Sequence, residues 1–357
     1  MSTVQDQHIR WIDLMRVMAI SAVMLCHSSE LRYELADLNY LPSRCFVFVC
    51  HVIGRLGVPL FMMISGYLLL DREYDEAAVK RFWTRKWLKL LACIGIWLVI
   101  YEIFLFAVGR GTADPLKIVQ ELTFTSKIDL SQTWYLGTIL GVYALIPLVA
   151  VALRKFGSKI LVFPFILFFS YSFVYATVNS LLLVYRPDLM LESRFDLAFS
   201  GGVWGLYLVT GYLLKKGILK KTGNILLLTG FLASSLMAFM YMLIPSFDGF
   251  INNSFIWYDN VFIYFSSLFC FELISRTENI GGKFYSAVRF VAKYAFPVFL
   301  THIIFMLSLE PLLDPLGMPG SVKTLLLFIS GFAGGLVLSK LLSMIPKAGS
   351  YITYVKE

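Results

Sequence analysis

The sequence predicts an all-α, polytopic membrane protein of about ten transmembrane helices, with both termini in the cytoplasm. Three observations lead there. Of its 357 residues 58% are hydrophobic and 16% aromatic, and its mean hydropathy of +0.74 lies far above that of a water-soluble domain. Apolar runs of ~20 residues, the length that crosses the ~30 Å hydrocarbon core of a bilayer, recur along the whole chain. Basic residues alternate between loops, 21 of the 31 Lys and Arg in one set and eight in the other. The richer set is expected to be cytoplasmic and carries both chain ends and most of the net +8 charge. Such an excess is a topology signal and gives no ground for nucleic-acid binding.

The runs lie near 11–30, 46–70, 87–108, 132–153, 158–178, 196–214, 223–244, 253–275, 290–309 and 321–344. Turns between them are short, so residues 1–357 read as one integral-membrane domain with no separate soluble domain. The longest gap, 109–131, has room for a small surface helix or a re-entrant segment. The first run contains Arg16 and is followed by the charged stretch HSSELRYELAD without a small-residue cleavage site, so it is expected to remain as a signal anchor. Cys26, Cys45, Cys50, Cys93 and Cys270 are odd in number and form neither a metal-ligand pattern nor a disulfide framework. They read as packing residues, and no metal is expected.

Chemistry concentrates first in helix one. Arg16 and His27 are eleven residues apart, which sets them ~16 Å apart along a helix but only ~20° apart around it, on one face. A charge inside the bilayer costs ~2.5 to 3.5 kcal/mol on insertion scales and is usually kept where it faces a polar cavity or a substrate path. Glu30, three residues beyond His27, can orient the imidazole as a general base. Taken singly, a snorkelling anchor would explain Arg16 and an interfacial histidine His27. In the second run Pro59 and Gly66 favour a kink and a close backbone approach. His51 and Arg55, four residues apart near its outer end, suit either an anionic or sugar substrate or interfacial anchoring.

The segment KRFWTRKWLKLL places Arg81, Arg85, Lys86 and Lys89 at the cytoplasmic start of the third run. A dock for phosphates at a helix N-terminus and plain positive-inside topology both account for the cluster. Glu102 lies ~20 Å further along and is a second candidate carboxylate. Trp134 and Tyr135 open the fourth run, as a membrane belt or as a stacking platform for a sugar ring. The sixth run ends in VTGYLLKKG, echoing ISGYLLLDRE at the end of the second, a trace of duplication or a shared packing need. Asp259 and Asn260 begin the eighth run on the outer side, as acceptor ligands or hydrated interface residues. His302 in the ninth lies ~18 Å from its cytoplasmic start, at the depth of His27.

These segments fall into five ordered blocks that together resemble the integral-membrane acyltransferase-3 family over most of the chain. Asp13, Arg16 and His27 match the first block, and Pro59, Phe61, Ser65 and Gly66 in GVPLFMMISGYLLL the second. The basic-aromatic third block offers Lys86 and Lys89 where the family usually has two arginines, which loses bidentate phosphate contact. Trp134, Tyr135, Gly141, Tyr143 and Pro147 match the fourth, although Gln132 or Thr133 stands where many relatives have a histidine, so no acid–base role is carried over there. KYAFPVFLTHIIF, with His302, matches the last.

The resemblance implies an O-acyltransferase of the bacterial inner membrane. It would take an acyl group, acetyl first and succinyl second, from cytoplasmic acyl-coenzyme A to a hydroxyl of an extracytoplasmic glycan, free or lipid-linked. His27, Glu30 and Arg16 would carry catalysis, and Arg16, Arg81, Arg85, Lys86 and Lys89 the coenzyme. His51, Arg55, Glu102, Trp134, Tyr135, Asp259 and His302 would contact substrate. The rival class is an exporter of a polysaccharide or lipid-linked sugar, because ten helices with intramembrane charges and Pro kinks also suit alternating access. That class would be favoured by an unambiguous inverted repeat, and the sequence offers only the short echo above.

Overall fold

The computed structural model describes residues 9–31, 40–111, 114–126, 130–193, 202–250, 255–277 and 280–355. Among them there is no strand, and the all-α, multi-pass expectation holds. The helices are α1 Arg10–Glu30, α2 Leu41–Gly54, α3 Gly57–Leu69, α4 Glu76–Ala107, α5 Pro115–Leu122, α6 Trp134–Phe156 and α7 Ser158–Tyr185. They continue as α8 Gly202–Lys215, α9 Asn224–Phe247, α10 Val261–Ser275, α11 Gly282–Leu313, α12 Gly320–Ser343 and a final turn α13 Gly349–Ile352. Counting α2 with α3 as one crossing, eight helices among the described residues are long and apolar enough to span a membrane. The other two expected runs correspond to α8 and α10, of 14 and 15 residues. Parts of their expected starts, 196–201 and 253–254, lie outside the described residues.

Two boundaries differ from the sequence expectation and the longest gap holds a helix of the expected kind, each for a local reason. The second run is two helices, because Pro59 has no N–H for the Arg55 carbonyl and the chain turns at Arg55–Leu56 with a tighter Leu56 N to Ile53 O bond of 3.1 Å. The ninth begins at Gly282, well before residue 290, since the basic segment from Lys283 to Lys293 continues the helix beyond its apolar part. The 109–131 gap holds the short surface helix α5, started by Asp114, whose side chain accepts from Leu116 N, and by Pro115 in its first turn.

Helix α1 is the hub: it packs against α2, α3, α10, α11 and α12, and Met15, Ala19, Ile20 and Met24 on it are fully buried. Glycines fix how close its neighbours come. A Cβ at Gly54 would fall 2.5 Å from Cys26 N, and one at Gly57 2.7 Å from Ala19 O. The α2–α3 break therefore rests directly on the backbone of α1, and Arg55 is delivered beside the last turn of that helix. The echoed motifs meet as well. A Cβ on Gly66 would overlap the Leu208 carbonyl, and one on Gly211 the Met63 carbonyl, so α3 and α8 cross backbone to backbone at the two matched glycines. Their shared packing need is physical: each GY pair makes room for the other helix. Lys215 and Lys216 reach Asp71 at 3.4 and 2.5 Å just beyond this crossing. Burial works against the Asp71 carboxylate, but the Lys216 hydrogen bond and both ammonium charges hold its pKa below the usual carboxylate range.

Candidate active site

The last turn of α1 and the α2–α3 break build one buried polar network. His27 Nδ1 lies 3.0 Å from Glu30 Oε2, and Arg55 Nη2 donates to Glu30 Oε1 at 2.9 Å. One carboxylate thus serves the imidazole with one oxygen and the guanidinium with the other. Because a carboxylate only accepts, His27 Nδ1 carries the proton and Nε2 is left as the basic atom. Arg55 is 1% exposed, with its guanidinium 4.5 Å from the Trp257 ring centroid and 5.1 Å from that of Tyr258. Its Nε donates to His51 Nε2 at 3.2 Å, while His51 Nδ1 faces Ser29 Oγ at 3.3 Å.

The sequence set His51 and Arg55 against a substrate. In the structure both are buried behind Glu30, with both His51 ring nitrogens engaged inside the protein. Cys26, Glu30 and His51 have ligand atoms within 4.8 Å of one another, a spacing a metal could use. Arg55 already bonds two of the three, and a metal cation would be forced against its buried charge, so the donor set fits a guanidinium.

His302 on α11 stacks on His27 with ring centroids 5.3 Å apart. Its Nδ1 faces the carbonyls of Phe299 at 2.6 Å and Val298 at 3.2 Å, and so must be the N–H. That leaves Nε2 as a buried lone pair with no hydrogen-bond partner. Two basic ring nitrogens therefore belong to one stacked pair. Sequence reasoning aligned the residues by depth but had no means of seeing them face to face.

Next to this pair opens a cavity of about 450 Å³. Arg16, Arg72, Arg85, Lys86, Lys89 and Lys293 line it, and among the described residues no carboxylate does. Arg16 is held by Asp13 at 3.3 Å, whose other oxygen accepts from Tyr285 at 3.0 Å. Residues Phe82–Trp87 form a π-helical turn, which shifts the register in which Arg85, Lys86 and Lys89 follow one another around α4. Arg81 precedes that turn and does not line the cavity, whereas Arg72 and Lys293, which the sequence did not single out, do. Tyr135 and Phe299 also line it, and the Phe299 ring lies 5.8 Å from that of His302. One aromatic ring thus separates the basic cavity from the histidine pair.

The Trp134 ring, edge-on to Tyr135 at 5.9 Å, also joins a cluster with Trp204, Trp257 and Tyr258 at centroid distances of 5.0, 5.7 and 5.4 Å. Trp257 is shared with a second recess of about 250 Å³ that includes Thr177, Ser180, Asp259 and Asn260. A helix of 15 residues is only ~22 Å long, so α10 stops short of a full crossing, and the recess sits at its N-terminus. Asn260 caps α10 through its carbonyl oxygen, and its buried amide nitrogen has no partner. Glu102 joins neither site. It pairs with Lys117 at 3.4 Å, which also reaches Glu121 at 3.6 Å, so this carboxylate pins α5 to α4.

A histidine bonded to a buried carboxylate thus lies inside a bundle of apolar helices, together with a basic cavity and a polar recess. Residues 9–344 match the acyltransferase-3 family model, described as an acyltransferase domain, and the chain belongs to that family. No curated protein and no solved structure matches the chain. It is a multi-pass membrane acyltransferase.

Proposed function

We propose that this acyltransferase moves an acyl group, acetyl before succinyl, from cytoplasmic acyl-coenzyme A to a hydroxyl of an extracytoplasmic glycan, free or lipid-linked, in a bacterial inner membrane. The observation that carries this reading is the succession of side chains from the basic cavity, across the single ring of Phe299, to the His302–His27 pair, with Trp257 on Arg55 and lining the polar recess. The coenzyme phosphates would meet Arg85, Lys86, Lys89, Arg72 and Lys293, and the pantetheine arm would run past Arg16 towards the histidines. His27 Nε2 takes the proton of the acceptor hydroxyl, the oxygen attacks the thioester carbonyl, and the C–S bond breaks as the coenzyme thiolate leaves and is protonated. Glu30 stabilises the imidazolium formed on the way, and the His302 Nε2 lone pair offers a hydrogen bond to an O–H or N–H of the reactants. Asp259, Ser180 and Thr177, with Trp257 as a ring platform, suit an acceptor rich in hydroxyls.

Sidedness tests the reading. In a Cys45→Ser background, which removes the one cysteine that is not buried, Lys86→Cys should react with impermeant thiol reagents only from the cytoplasm and be shielded by acyl-coenzyme A. Asp259→Cys should react only from outside. Labelling of both from one side would overturn the transmembrane route. Arg16→Lys should insert normally yet weaken turnover about ten-fold, because a charge-assisted bond of ~1.5 kcal/mol or more is lost with the planar fork. Unchanged kinetics with labelled acetyl-coenzyme A would return Arg16 to the role of a topology anchor.

A further inference from the structure

The family match ends at residue 344, yet the chain beyond it contributes to the basic cavity. After α12 the backbone turns back, and α13 docks against α4. Trp97 Nε1 and Cys93 Sγ both donate to the Ile352 carbonyl, at 2.7 and 3.3 Å. Gly349 makes the turn possible: a Cβ there would lie 2.7 Å from the Leu342 carbonyl. Thr353 is 1% exposed and closes the turn through its hydroxyl on Gly349 O at 2.6 Å.

Tyr354 follows at a φ of 56°, a left-handed conformation that L side chains rarely adopt and that is kept only where surrounding contacts impose it. Those contacts all belong to the cavity. The phenol donates to Lys86 O at 3.1 Å, the ring meets Phe296 edge-on at 5.7 Å, and the Lys89 ammonium lies 5.8 Å from its centroid and 5.6 Å from that of Tyr351. Burial pushes the phenol pKa up to about 12, so it stays a hydrogen-bond donor at neutral pH. A strained aromatic residue is thus held against the ammonium of Lys89 and the backbone of Lys86, two residues that line the cavity.

We propose that residues 349–355 are a strap forming one wall of the donor site, with Tyr354 as a donor-binding residue, so that the strap and a nucleotide-bearing acyl donor hold each other in place. The proposal rests on the reading of the basic cavity as the coenzyme site. Linkage makes it reciprocal: whatever the docked strap adds to donor affinity, bound donor returns to strap docking.

The experiment uses the full-length protein in detergent, with coenzyme A as the probe. Tyr354→Gly removes the ring while suiting the positive φ, so the backbone keeps its path. It is expected to weaken coenzyme A binding about ten-fold and to raise the donor KM with kcat nearly unchanged. Tyr354→Phe, which loses only the bond to Lys86 O, should fall between Tyr354→Gly and wild type. Carboxypeptidase digestion followed by intact mass should release Tyr354 from the wild type several-fold more slowly when coenzyme A is bound. Wild-type affinity in Tyr354→Gly, or digestion that coenzyme A does not slow, would overturn the strap while leaving the donor site standing. Failure of the wild type to bind coenzyme A would overturn both.

Discussion

His27→Ala is expected to lower acyl transfer roughly 10² to 10⁴-fold, the range a positioned general base supplies, while leaving the protein folded. The second half of that expectation follows from Glu30. Its carboxylate is held by Arg55 at 2.9 Å independently of the imidazole, so removing the ring leaves no unpaired buried charge. His302 keeps its own carbonyl partners and loses only a stacking neighbour. Turnover of labelled acetyl-coenzyme A and the thermal midpoint of the purified protein separate the two effects. Transfer that persists within a few-fold of wild type would remove His27 as the base and turn attention to His302, whose Nε2 is the other bare ring nitrogen.

The sequence made the bundle legible because a bilayer imposes a length and a polarity on each crossing, and both are written in composition. It also made Arg16, His27 and Glu30 legible, because all three lie on one helix and their geometry is helix arithmetic. Residues that meet across helices escaped it. Arg55 reaches Glu30 only because Pro59 breaks the second crossing at Arg55 and because Gly54 and Gly57 seat that break on α1. Two glycines three apart around an arginine were the available signal, and it is a weak one. Glu102 shows the opposite failure. Depth along a helix made it a candidate, but depth does not fix the face on which a side chain lies, and Lys117 from α5 takes it. Tyr354 follows the last apolar run, where no periodicity points to any role.

The largest expected effect on stability belongs to the Glu30–Arg55 pair. Glu30→Ala would leave the guanidinium, 1% exposed and set against Trp257 and Tyr258, without its carboxylate. Stripping one partner from a buried ion pair costs about 3 to 5 kcal/mol, enough to deplete folded protein in the membrane. Arg55→Met should cost less, because the Glu30 side chain retains 16% exposure and keeps the His27 bond. The double variant Glu30→Gln/Arg55→Met should recover most of the loss, since a thioether fits the aromatic slot and no charge remains to be buried. Strong non-additivity of this kind is what a directly paired couple produces. Activity should not recover with the fold, because a glutamine cannot balance the charge of the imidazolium that His27 forms, and replacing an orienting carboxylate by its amide costs roughly 10⁴-fold in the hydrolase triad. Fluorescence-detected thermal unfolding reads the first effect and thioester cleavage the second. Single variants that add without coupling would show that the pair is not a stabilising unit. A double variant with wild-type turnover would remove Glu30 from the mechanism and leave it as a counter-ion for Arg55.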